Sequence, residues 1–161
     1  MAFKRILAPV DYSEPSKHAL MYAADLAQTF AAELDIVHVW DRPAYVSEAI
    51  MVGRPGDEQR SLADLIHENA QKDMAEFLST VSLPPTVRAS HRLLSGEPAS
   101  TLLEELKKGQ HDLIVLGTHG RTGLSHFIMG SVAEKLVRMS PIAVLTVPAG
   151  VGLKPIFSSE G

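Results

Sequence analysis

Short apolar, β-forming runs alternate along this chain with stretches whose apolar residues recur every three or four positions. That alternation constrains the fold more than any other feature. Residues 6–10, 34–40, 86–94, 112–116 and 142–147 read as strands. Between the first two, Ala19, Tyr22, Ala23, Leu26, Ala27 and Phe30 mark one face of a helix, with Ser13 placed to cap it and Pro15 in its first turn. Leu62, Leu65, Ile66, Ala70, Met74, Phe77, Leu78 and Val81 mark a second helix, stopped at Pro84 and Pro85. A third begins at Pro98 and closes at Gly109, and a fourth covers residues 131–139 before Ser140 and Pro141 end it. Strands alternating with helices predict a single-domain α/β fold, a five-stranded parallel sheet with helices on both faces. Ligands of such sheets sit beyond the carboxyl ends of the strands. Asp11, Trp40 and Gly117 each end a predicted strand and so share that edge.

The 161 residues suffice for one domain that buries roughly 68–70 % of its unfolded surface. A net charge of −4 disfavours general nucleic-acid binding, which needs a basic field. Cysteine is absent, which excludes disulfides, iron–sulfur ligation and thiol catalysis. No apolar run approaches the roughly 18 residues of a membrane span, and the apolar stretch near the start is too short for a signal-peptide core. A soluble, cytoplasmic protein without membrane insertion is expected. Residues 1–148 are assigned to the domain and 149–161 to a frayed tail. Residues 41–60, with Pro43, Gly53, Pro55 and Gly56, break the pattern over a length far above the median loop of about 4–6 residues. They are expected to form a long connection, a lid or partner surface, mobile or decorated with short helix.

The chemistry concentrates in residues 117–131, where Gly117, Gly120 and Gly130 lie between a predicted strand and a helix start. Glycines allow close approach of an anion, and the free N–H groups and dipole of a helix start favour negative charge. The spacing Gly-x2-Gly-x9-Gly-Ser is not a Walker A loop, since no lysine follows the last glycine. Nor is it a dinucleotide fingerprint, whose glycines lie within six residues directly after the first strand. Loop punctuation is the bland alternative, with Gly123 as a turn.

Gly117-Thr118-His119-Gly120-Arg121-Thr122-Gly123, followed after nine residues from Gly120 by Gly130-Ser131-Val132-Ala133-Glu134, resembles the nucleotide-binding signature of the universal stress protein family. Ile6-Leu7-Ala8-Pro9-Val10-Asp11, with Ser13 and Glu14, is similar to that family's first strand and loop. The runs Asp112-Leu113-Ile114-Val115-Leu116 and Pro141-Ile142-Ala143-Val144-Leu145-Thr146-Val147-Pro148 match as well. The resemblance covers residues 2–148. It implies a Rossmann-like, adenine nucleotide alpha hydrolase-like fold that binds ATP (or ADP or AMP) in its glycine-motif branch, commonly as a homodimer. By position, Pro9, Val10 and Asp11 would line the ribose side, with Asp11 accepting from a ribose hydroxyl. Val39 would contact adenine through its backbone, and Leu116 and Gly117 would pack under the sugar. Gly120, Gly130, Ser131 and Val132 would hold phosphates with N–H groups and one hydroxyl.

Residue chemistry fits these roles and leaves alternatives open. A carboxylate accepts two hydrogen bonds from a ribose diol, yet Asp11 also suits a turn acid before the first helix, with Ser13 as its cap. Ser131 and Glu134 form a capping-box pattern, in which the hydroxyl would satisfy the Glu134 N–H. Arg121 suits a phosphate by its fork geometry or stands solvated, and His119 donates to a phosphate or bonds locally. The histidines show no metal-ligand spacing, and His38 reads as a satisfied residue inside the second strand. Mg²⁺ is expected to arrive with the nucleotide, with Asp11 the one acid near the phosphates. Three functions remain: an ATP-binding regulatory or stress-response protein, a slow ATPase or nucleotide-transfer enzyme, and an interaction module without nucleotide. Efficient phosphoryl transfer is disfavoured, since only Arg121 and His119 could serve it, both on one loop. The strand from Ile142 to Val147 carries no charge to blunt an edge, so it is expected either to pair with a second copy or to lie under the tail.

Overall fold

A computed structural model describes residues 2–40, 50–53, 60–118 and 129–148. Five parallel strands, β1 (Arg5–Pro9), β2 (Glu33–Trp40), β5 (Arg88–Ser95), β6 (Leu113–Gly117) and β7 (Ala143–Val147), form one sheet in the order β5-β2-β1-β6-β7. Helices α1 (Glu14–Phe30) and α2 (Leu62–Ser79) cover one face, while α3 (Pro98–Lys107) and α4 (Ser131–Met139) cover the other. Strand alternation divides the core between them. Ile6, Ala8, Leu34 and Ile36 pack on the α1 and α2 side; Leu7, Val37, Ile114 and Leu116 pack on the α3 and α4 side. Burying each of the leucine, isoleucine and valine side chains is worth about 1.5–3 kcal/mol. The single-domain α/β fold expected from the alternation is the one observed.

Local chemistry sets the element ends. The Ser13 hydroxyl accepts from the Ser16 N–H at 3.3 Å and starts α1. Four small residues, Ala19, Ala23, Ala24 and Ala27, are buried along α1 and let it lie close on the sheet. Glu97 caps α3, accepting from the N–H groups of Ala99 at 3.1 Å and Ser100 at 2.8 Å. The connection after β2 differs from expectation in its described part. There β3 (Met51–Val52) and β4 (Arg60–Ser61) pair antiparallel, and Ser61 then caps α2 by accepting from Ala63 N–H. A ladder of two residue pairs gives no periodicity in sequence, so these residues carry no strand signal.

The strand order reverses at β1, whose neighbours are β2 and β6. Pairing between β1 and β6 covers only Ile6 with Leu113 and Leu7 with Ile114. The cause lies in Pro9. Arg5 presents its carbonyl to the β6 side, where it accepts from Asp112 N–H at 3.1 Å, so by alternation Pro9 also faces β6. Proline has no N–H to offer a rung there. The two strands therefore part toward their carboxyl ends and open the crevice in which ligands of such sheets bind.

Candidate functional site

A cavity of about 630 Å³ occupies that crevice, within the range typical of small-molecule sites. Pro9, Val10 and Asp11 line it from the end of β1, Val39 from β2, Leu116 and Gly117 from β6, and Gly130, Ser131 and Val132 from the start of α4. Nine site residues read from sequence thus meet in one space. His119, Gly120 and Arg121 lie outside the described residues. The cavity also takes in Ser16, His38, Trp40, Pro98, Leu102, Thr118 and Ala133, which the sequence reading had not assigned to it. Of these, Trp40 was legible as a strand-end residue; the α3 pair was not, because nothing in sequence says that α3 overhangs this edge.

Each wall has its own chemistry. Asp11 Oδ1 accepts from the Ser13 N–H at 3.1 Å and from the Ser13 hydroxyl, while the Asp11 N–H donates to Ser16 Oγ at 3.3 Å. The carboxylate is therefore held rigidly at the cavity wall, and Ser13 rather than Asp11 is the helix cap. Across the crevice, Val37 accepts from Val10 N–H at 2.8 Å, so Val37 and, two residues on, Val39 turn their peptide groups toward β1. But β1 stops at Pro9 while β2 runs to Trp40. Among the described residues no hydrogen bond takes the Val39 N–H or carbonyl on that side. A donor and an acceptor stand side by side on one strand edge, open to the cavity.

The start of α4 supplies the opposite polarity. Gly130 is the N-cap, φ −61° and ψ 149°, with its carbonyl accepting from Glu134 N–H at 2.9 Å and no side-chain cap. This overturns the capping box: Ser131 is the first helical residue, one position too late for its hydroxyl to cap Glu134. The N–H groups of Ser131, Val132 and Ala133 precede the first intrahelical bond and have no intrahelical acceptor. Gly130 N–H, by contrast, donates to the Thr118 carbonyl at 2.7 Å and is already paired. The neighbouring α3 start is closed in another way, by the Glu97 carboxylate. Hydrogen bonds from the Ser100 side chain and N–H, with help from Ala99 N–H and the Lys135 ammonium, hold that exposed carboxyl down to about 2. Two helix starts thus flank the cavity, and only that of α4 is left bare for an anion.

With this geometry in place, relatives can be compared. The sequence model of the universal stress protein family matches residues 2–148. The chain belongs to the universal stress protein family. It is similar to universal stress protein MJ0531 of Methanocaldococcus jannaschii, 32% identical over 146 residues, covering 90% of this chain and 82% of that one. Among solved structures it is similar to universal stress protein UspA from Lactobacillus plantarum, with a TM-score of 0.66, 27% identity, and 91% and 99% of the two chains covered. A universal stress protein solved in complex with cAMP shares the fold at a TM-score of 0.60 and 20% identity, covering 91% and 98%. Another, from Archaeoglobus fulgidus in complex with dAMP, does so at 0.56 and 19%, again covering 91% and 98%. No helix among the described residues is long and apolar enough to cross a membrane.

Proposed function

We propose that this universal stress protein binds an adenine nucleotide, ATP by preference, in the crevice between β1 and β6 and acts as a nucleotide-dependent regulatory or stress-response homodimer in the cytoplasm. The observation that carries the reading is the unpaired Val39 N–H and carbonyl facing the same cavity as the bare start of α4. Adenine offers one ring acceptor beside one amino donor, the complement of that strand edge. The phosphates meet the amides of Ser131, Val132 and Ala133 and the Ser131 hydroxyl, while Asp11 accepts from the ribose. Fold neighbours solved with cAMP and dAMP add support for this class of ligand. His119, Gly120 and Arg121, which lie outside the described residues, are further candidate phosphate ligands in this reading.

The domain spans residues 1–148, with 41–60 as a long connection or lid. Among the described residues no group of three acid or histidine side chains is set to hold a metal, so Mg²⁺ enters on the triphosphate, within reach of Asp11. The dimer forms through residues 142–147: β7 is an edge of the sheet and carries no charged residue. Turnover is at most slow, since only Arg121 and His119, both on one loop, could serve phosphoryl transfer.

Isothermal titration of the nucleotide-free protein with ATP, ADP, AMP and GTP tests the reading. Saturable one-to-one binding of ATP, weaker for GTP, is expected; absence of any adenine-nucleotide binding overturns it. Light scattering of wild type and Val144→Lys tests the dimer, with a monomer expected for the variant.

A further inference from the structure

We infer that His38 is a positioning residue that keeps the base-reading edge of Val39 open. The inference rests on the adenine reading of this cavity and explains how the edge comes to be free. In a regular parallel ladder the rung after Val10 N–H to Val37 carbonyl runs from Val39 N–H to the Val10 carbonyl. That rung is absent here, and the Val10 carbonyl accepts from His38 Nδ1 at 2.7 Å. A carbonyl can only accept, so Nδ1 carries the proton. The imidazole thus substitutes for the backbone donor. The Val10 carbonyl is satisfied, and the Val39 N–H stays available to a ligand.

Neighbouring rings fix the imidazole in this pose. Tyr12 stacks on it with centroids 4.2 Å apart and planes 25° apart, and itself rests against Phe77 at 5.2 Å. To reach that position Tyr12 takes a φ of 67°, a left-handed conformation uncommon for a bulky residue. The strain sits in the loop that carries Asp11 into the cavity. One ring therefore organises two contacts: it frees the Val39 edge, and it anchors the turn between Val10 and Ser13.

The test compares His38→Asn with His38→Gln and His38→Leu. An asparagine amide nitrogen falls where Nδ1 stands and restores the bond; a glutamine amide reaches instead toward the Nε2 position, and leucine donates nothing. ATP affinity is expected within about threefold of wild type for Asn and reduced about tenfold or more for Gln and Leu, the scale of one hydrogen bond. A second readout needs no nucleotide. Wild type should show fast exchange of the Val39 amide and the ¹⁵N shift of a His38 Nδ1 that carries its proton. In the Gln and Leu variants the Val39 amide should become protected, with a scalar coupling across a new bond to the Val10 carbonyl carbon. A Val39 amide already coupled to Val10 in wild type, or unchanged in every variant, overturns the inference whatever binds. Failure of wild type to bind ATP overturns the functional reading while leaving the Val39 measurement to decide the role of His38.

Discussion

Replacing Arg92 with methionine should destabilise the protein at neutral pH and progressively less as the pH falls. Beneath α3, Arg92 Nη2 lies 2.6 Å from both Asp35 Oδ2 and Glu105 Oε1. His111 Nε2 approaches Asp35 at 3.0 Å, and Lys108 pairs with Glu105. Asp35 is 8% and Glu105 3% exposed, so each carboxylate depends on its cations rather than on water. Burial alone raises the Asp35 pKa, but hydrogen bonds from His111 and Arg92, with their charges, outweigh it and bring it from 3.8 to about 2. That difference corresponds to about 2 kcal/mol of stability. Because the folded value is depressed, this contribution is complete above pH 3.8 and fades as pH falls toward 2. Glu105 is likewise held below its ordinary value against its own burial, by Arg92 and Lys108.

Without Arg92, burial is opposed only by His111 at Asp35 and by Lys108 at Glu105, so both carboxyl pKa values rise relative to wild type. A raised carboxyl pKa destabilises the fold above that value and is relieved once the group protonates. Breaking a buried pair costs about 3–5 kcal/mol. The Arg92 side chain is 38% exposed, so water replaces part of its field and about 2–3 kcal/mol is the better expectation. Urea unfolding followed by circular dichroism at pH 7, 5.5 and 4 measures the gap between variant and wild type. It should be smaller at pH 4 than at pH 7. A gap that is constant across this range would refute a charge origin and leave lost packing as the cause.

Two further changes probe the site. Ser131→Ala should leave stability within about 0.5 kcal/mol, because the hydroxyl caps nothing, yet weaken ATP binding about tenfold or more through loss of a charge-assisted bond; calorimetry and thermal melts on the same samples separate the two effects. Gly96 holds a φ of +139°, and an added Cβ would stand 2.5 Å from Thr101 Oγ1, so Gly96→Ala should cost about 1–3 kcal/mol and lower the melting temperature by several degrees in differential scanning calorimetry.

The parts of this fold legible in sequence are those in which one physical signal dominates. Residues 113–117 are apolar on both faces and read as a buried strand; α1 announces itself by a three-and-four spacing behind a serine cap. Topology was not legible in order, only in kind, because the alternation of elements does not say that β6 returns beside β1. The α4 cap was misplaced by one residue, since a glycine N-cap has no side chain to reveal it and Ser131 offers a more familiar pattern. The ion cluster beneath α3 left no trace at all: Asp35 and His111 are 76 positions apart, and only the folded sheet places them together. The Val39 edge became intelligible only when β2 was seen to outrun β1, although the valine itself could be named from family resemblance.

Polar groups in this molecule fall into two kinds, and the contrast separates stability from binding. Around Asp35, polar side chains from β2, β5, α3 and the segment before β6 pair with one another about two buried carboxylates, with His111 Nδ1 the one buried side-chain nitrogen among the described residues left without a partner. At the carboxyl edge the opposite holds. The Val39 peptide group, three amides of α4 and the Ser131 hydroxyl face one cavity without protein partners among the described residues. Chains ordinarily pair such groups internally, and here the local means were at hand: a regular rung for Val39, a capping side chain for α4. His38 displaces the first and Gly130 withholds the second. Two independent local rules are set aside within one crevice, each leaving donors aimed at the same space, which folding alone does not require and the proposed nucleotide would use.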